Sequence, residues 1–191
     1  MQVVATVGMP GSGKGEFAAV ADEMGYPVVR MGDVIREEAE RRGVEPSDAN
    51  LGAIATELRE EHGDDVIARR CVDAVRDRDA ELVVVDGVRG IDEVETFRDA
   101  FGDDLALVAV EAPFEDRLER LDERGRSDDV SSEEALERRD ERELGYGMGE
   151  AIEAADTTVA NDGSLAAFRE RARAMLRKVR DDGDPLVDGS Q

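Results

Sequence analysis

The stretch Val3 to Gly15 reads VVATVGMPGSGKG, and its two halves demand different structures. Val3 to Val7 is short, mostly apolar and rich in β-branched residues, which reads as a strand covered on both faces. The residues that follow, Gly8, Met9, Pro10, Gly11, Ser12, Gly13, Lys14 and Gly15, form a glycine loop whose backbone can turn successive N–H groups inward toward an anion. Phe17, Val20, Ala21 and Met24 then fall on one helical stripe, so a helix N-terminus adds positive potential at the same place. Strand, glycine loop and helix together make a phosphate-binding loop of the Walker A type, with Lys14 reaching the β- and γ-phosphates of ATP.

The lysine itself is informative, because the 25 basic residues include only Lys14 and Lys178 as lysines. In a chain that otherwise uses arginine, a compact ammonium stands where a point charge must fit inside a loop. Gly15 departs from the usual pattern, which has a Ser or Thr there to bind Mg²⁺. Asp86, closing the apolar run Leu82 to Val85, is the candidate to orient a metal-bound water; its alternative is a turn or capping aspartate before Gly87.

Outward from the loop, further strands are read at Pro27 to Val29, Leu82 to Val85, Leu105 to Val110 and, more weakly, Thr157 to Ala160. Helical stripes fall between them: Leu51, Ile54, Ala55 and Leu58; Ile91, Val94 and Phe101; and Leu165, Phe168, Ala172, Met175, Leu176 and Val179. Strands alternating with helices predict an α/β fold, a doubly wound, five-stranded parallel sheet with its ligand crevice at the carboxyl ends of the strands. The expected organisation is one domain over 1–180, with core segments at 1–31, 81–124 and 155–180. A helical insertion at 32–80 holds three helical patterns, the charged segment 125–154 is expected to hold a lid and following helices, and 181–191 is expected to be a disordered tail.

Composition narrows the partners. A formal charge of −23, from 48 acids against 25 bases, suggests a protein adapted to a salt-rich cytoplasm, where screening shortens carboxylate repulsion. Nucleic acid, which calls for a basic face, is not an expected partner. No apolar run is long enough to span a membrane and the start enters a strand, so a cytoplasmic location is expected. Cys71 is the single cysteine and sits at helical core spacing with Ile67, Ala74 and Val75, so it reads as buried and inert. His62, the single histidine, stands beside Gly63 and reads as a helix C-terminus.

These segments together resemble the adenylate kinase and dephospho-CoA kinase group, and most closely an archaeal P-loop kinase-like family related to them. Met31, Gly32, Asp33, Val34, Ile35, Arg36 is similar to that group's GD-x-(L/I)-R segment; Asp86, Gly87, Val88, Arg89 resembles its DG-x-x-R segment. Arg117, Arg120, Arg124 and Arg126, followed by Asp128 and Asp129, look like its lid. Ala155, Asp156 and the turn Asn161, Asp162, Gly163, Ser164 resemble the dephospho-CoA kinase ending, which passes near the adenine. The GKG of the loop also occurs in adenylate kinases, although the Thr usual after it is here Glu16.

The resemblance implies the nucleoside monophosphate kinase fold and phosphoryl transfer from ATP, with Mg²⁺, to a small phosphorylated acceptor. Arg36 and Arg89 would bind the acceptor, Asn161 and Gly163 would lie near the nucleotide, and Asp33, which otherwise caps a helix, would face the reacting phosphates. Phosphoryl transfer needs positioning and charge neutralisation above all, which explains the gathered arginines. Arg117, Arg120 and Arg124 share one helix face, where they either converge on phosphates or pair with Glu119 and Glu123 in solvent. Arg126 is the leading candidate for the transferring phosphoryl group, with Arg138 and Arg139 as alternatives.

Overall fold

The computed structural model describes residues 1–124 and 132–182. Its strands, β1 (Gln2–Val7), β2 (Val28–Arg30), β3 (Leu82–Asp86), β4 (Leu105–Glu111) and β5 (Thr157–Ala160), form one parallel sheet in the order β2-β3-β1-β4-β5. The helices are α1 (Lys14–Glu23), α2 (Met31–Arg41), α3 (Asp48–His62), α4 (Val66–Arg76), α5 (Ile91–Phe101), α6 (Phe114–Arg124), α7 (Glu133–Gly145), α8 (Met148–Glu153) and α9 (Leu165–Asp182).

The strand alternation builds two cores. Val3, Ala5, Val7, Val83, Val85, Leu107 and Ala109 meet side chains of α2, α3, α4, α5 and α8 on one face. Val4, Val84, Ala106, Val108 and Val110 meet α1 and α9 on the other, through Phe17, Phe168, Ala172 and Leu176. Covering both faces explains why β1, β3 and β4 are nearly continuous in apolar residues. The doubly wound parallel sheet is therefore as the sequence reads, and the interval between β2 and β3 holds three helices.

Differences are local. β2 lies one residue later than Pro27 to Val29, while β3 and β4 each run one residue further, to Asp86 and Glu111. Leu165 is exposed at the start of α9, and the buried aromatic of α5 is Phe97, on which Phe101 stacks at 6.4 Å between ring centroids. The last helix continues through Asp182, past the start of the expected tail; 183–191 lie outside the described residues.

The insertion α2–α4 is tied together by the buried carboxylate of Glu38. It accepts from Arg42 Nε at 2.6 Å and Arg70 Nη1 at 2.8 Å and also pairs with Arg41, so α2 is fastened to α4. Cys71 is fully buried, and burial pushes its thiol pKa up to about 12, as an inert core cysteine requires. His62 ends α3, and Gly63, at φ +97°, turns the chain away. Among the described residues no helix is long and apolar enough to cross a membrane.

Candidate functional site

The glycine loop joins β1 to α1 at the carboxyl edge of the sheet, and two of its glycines are there because nothing larger fits. At Gly8, φ +151°, an added Cβ would stand 2.3 Å from the Val110 carbonyl oxygen. At Gly13, φ +114°, it would stand 2.4 Å from Asn161 Nδ2. That amide donates to Ser12 O at 2.8 Å, and Asn161 N donates to Glu111 O at 2.6 Å, so the turn after β5 clamps the loop from behind. Asn161 is thus buried against the loop by backbone contacts, while Gly163 lies open in the same turn.

Lys14 opens α1 and folds back over the loop, its Nζ donating to Gly8 O and to Met9 O, the latter at 3.2 Å. Burial strips water from the ammonium and lowers its pKa from 10.5 to about 8. Asp86 and Glu143 act to raise it and Arg89 and Arg139 to lower it. An anion bound in the loop restores the charged form. ATP affinity is therefore expected to hold roughly constant below pH 7.5 and to weaken as pH rises through about 8, approaching ~10-fold per unit. Calorimetry in buffers of different ionisation enthalpy checks this as proton uptake on binding in the window from about 8 to 10.5.

Asp86 ends β3 directly beside the loop, in register with Thr6 of β1 and Arg30 of β2. Thr6 Oγ1 donates to its Oδ1 at 3.3 Å. The residues fit a nucleotide with its magnesium: a cradle of glycines, the Lys14 ammonium and the Asp86 carboxylate, to which Thr6 donates. Among the described residues no cluster of three or more His, Cys, Asp or Glu side chains could hold a metal by itself.

Asp33 and Arg36 lie in the first turns of α2, where they pair with each other and are about half exposed. The N-cap of α2 is Arg30, so Asp33 does not cap the helix. Arg89, also exposed, follows Asp86 by three residues; its backbone N–H donates to the buried Glu93 at 2.9 Å, and its Nη1 lies 4.0 Å from Glu143. Burial raises the Glu93 pKa, against the pull of the Arg89 N–H and of Arg59. Because β2 and β3 are neighbours, the two segments 31–36 and 86–89 share one end of the crevice.

Two arginines of the α6 face are held by contacts to the loop, to α7 and to the turn after β5. Arg117 is buried: Nη1 donates to Asp140 Oδ1 at 2.9 Å and to Pro10 O at 3.0 Å, and Nη2 donates to Asp140 Oδ2 at 2.6 Å. Arg120 donates to Asn161 O at 3.0 Å and to Asp116 at 3.3 Å. Neither pairs with Glu119 or Glu123; both brace the loop and the turn after β5. Arg126 and the side chain of Arg124 lie outside the described residues. A pocket of about 460 Å³ opens beside the loop at the carboxyl ends of β4 and β5, lined by Met9, Ser12, Glu111, Arg117 and Asp162 among others. Ser12 Oγ is buried there with no hydrogen-bond partner among the described residues.

Asp140, Glu143 and Glu93 are site neighbours that sequence reading missed. Glu93 alone carried a signal, four residues after Arg89 at the start of a helix.

A parallel sheet whose first strand runs through this loop into a helix defines a nucleotide-binding P-loop domain with the kinase-type fold. A family model described as an AAA domain matches residues 7–137. A UPF0200 protein of Methanosarcina mazei is 52% identical over 176 residues, spanning 92% of this chain and 94% of that one. A UPF0200/UPF0201 protein of Archaeoglobus fulgidus is 55% identical over 181 residues, spanning 94% of this chain and 56% of that one. The chain belongs to the UPF0200 family. Among solved structures, TT1252 from Thermus thermophilus superposes with a TM-score of 0.64 at 22% identity, covering 93% of this chain and 97% of its own. A shikimate kinase from Acinetobacter baumannii superposes at 0.59 and 17% identity, covering 94% and 93%. Both likenesses are of fold.

Proposed function

We propose that this chain is an ATP-dependent kinase that transfers the γ-phosphoryl group to a small phosphorylated acceptor. The observation that carries this reading is Asp86 at the end of β3, in register with Thr6 beside the glycine loop and joined to it by the Thr6 hydroxyl, with Arg89 three residues on, close to Glu143 of α7. A nucleotide site that only held ATP would need the loop and the lysine. An oriented carboxylate, a second cation and a flanking helical insertion supply what transfer needs in addition: a metal position and a place for the acceptor. Asp86 would hold a water of the magnesium ion, which neutralises phosphate charge when bound, and Arg36 and Arg89 would bind the acceptor's anionic group.

The test is ADP formation from MgATP with a panel of nucleoside monophosphates and dephospho-CoA, at high KCl to suit the acid excess. One acceptor should stimulate turnover. Arg36→Ala is expected to leave ATP affinity within ~2-fold and to raise the acceptor KM at least ~10-fold, since Arg36 belongs to α2, where it pairs with Asp33, and not to the glycine loop. Loss of both affinities together would overturn the separation of the two substrates.

A second reading is a nucleotide-dependent regulator; the Archaeoglobus fulgidus relative, of which this chain spans 56%, has further sequence beside the part that matches. A regulator of that kind would show nucleotide-dependent protein binding and no stimulation by any metabolite.

A further inference from the structure

Gly13 is the N-cap of α1 and has no side chain with which to cap it, so Lys14, Gly15 and Glu16 follow as the first three helical residues. A glutamate third in a helix is placed to reach back and accept from the open N–H groups at the helix start. In this chain those N–H groups belong to the glycine loop. A carboxylate turned back onto them would set its own charge where a phosphate is to bind. Glu16 is instead drawn off the loop: its carboxylate accepts from Nη1 of Arg169, on α9, while Nη2 of the same guanidinium donates to both oxygens of Glu23, further along α1. Arg173, one turn on in α9, also pairs with Glu23. The Arg169 side chain is only 22% exposed. Its neighbour Phe168 is buried, with ring atoms 3.4 Å from where a Cβ on Gly13 would stand. Two successive residues of α9 thus meet the end of the loop, one packed against Gly13 and the other holding Glu16.

We propose that Arg169 is a positioning residue for nucleotide binding: it holds the Glu16 carboxylate away from the loop and so keeps the loop's N–H groups free for phosphate. The inference rests on the loop as the nucleotide site and not on what becomes of the γ-phosphoryl group afterwards. Without Arg169, Glu16 is a tethered anion that competes with the ligand from inside the chain. Apparent affinity scales with the fraction of molecules whose loop is free, so a reach-back contact formed in about nine molecules of ten weakens binding ~10-fold. The same guanidinium spans Glu16 and Glu23 through its two terminal nitrogens, which a lysine ammonium on a flexible stem does less well. Arg169 therefore acts on the nucleotide through Glu16 and needs no contact with it.

The experiment is titration calorimetry of the full chain, at one fixed KCl concentration, with MgATP and with inorganic triphosphate. It compares wild type, Arg169→Met, Glu16→Ala and the double variant; methionine keeps an unbranched stem to pack against α1. Arg169→Met is expected to bind both ligands at least ~10-fold more weakly. Glu16→Ala alone should stay within ~3-fold of wild type, and the double variant should return to that range, since the competing carboxylate is gone. The triphosphate should follow ATP because the contest is for phosphate donors and not for the base. Wild-type affinity in Arg169→Met, a loss that persists in the double variant, or a loss seen with ATP and not with triphosphate would each overturn the inference while leaving the loop as the nucleotide site. A wild-type protein that binds neither ligand would overturn the loop reading itself. Should Arg169→Met fail to fold, Arg169→Lys with and without Glu16→Ala gives the same comparison, with a smaller loss that Glu16→Ala must again reverse.

Discussion

Replacing Lys14 with alanine is expected to weaken ATP binding at least ~100-fold while leaving the thermal midpoint unchanged or slightly raised. The two expectations have one origin. In the folded chain the ammonium donates to the carbonyls of Gly8 and Met9, and burial already works against its charge. Its removal relieves that cost. With ATP the same group would meet two phosphates. Charge-assisted hydrogen bonds of that kind are worth about 1.5–3 kcal/mol each, and roughly 3 kcal/mol corresponds to more than 100-fold in affinity. Titration calorimetry and circular dichroism on Lys14→Ala check both. Arginine at 14 should restore little, because a planar fork is too large for the space that the glycines leave. Equal ATP affinity in the folded alanine variant would reject the loop as the nucleotide site.

What could be read from the sequence was what is local in the chain. β1, the loop and the start of α1 occupy one uninterrupted segment, so spacing alone carries their geometry. β3 and β4 are legible because burial on both faces leaves unbroken apolar runs. β2 has only three residues, too few to fix its ends, and its boundary shifts by one. The supports of the site are of another kind. Asn161 reaches Ser12 across 149 positions and Arg117 reaches Pro10 across 107. Asp140 and Glu143 lie in a helix so crowded with acids and arginines that periodicity gives neither one distinction. Their partners are set by how α7 lies against α6 and the loop after β3. No pattern within α7 contains that information.

Breaking the Arg117–Asp140 pair should show how much those distant supports matter. Arg117→Ala leaves the Asp140 carboxylate, 14% exposed, without its two donors and leaves Pro10 O unpaired, all inside a packed junction of α6, α7 and the loop. Removing one partner of such a pair costs about 3–5 kcal/mol, which in a chain of this size lowers the thermal midpoint by roughly 6–20 °C. The double variant Arg117→Met with Asp140→Leu removes both charges and refills the volume, so most of that stability should return. ATP affinity should not return with it. Pro10 stands in the loop itself, and methionine offers its carbonyl no donor, so the loop loses one of the contacts that hold its shape for phosphates. Thermal denaturation and ATP titration of the three variants separate the two effects. Equal ATP affinity in the double variant would show that Arg117 serves stability alone; a single variant as stable as wild type would show that the pair carries no net energy.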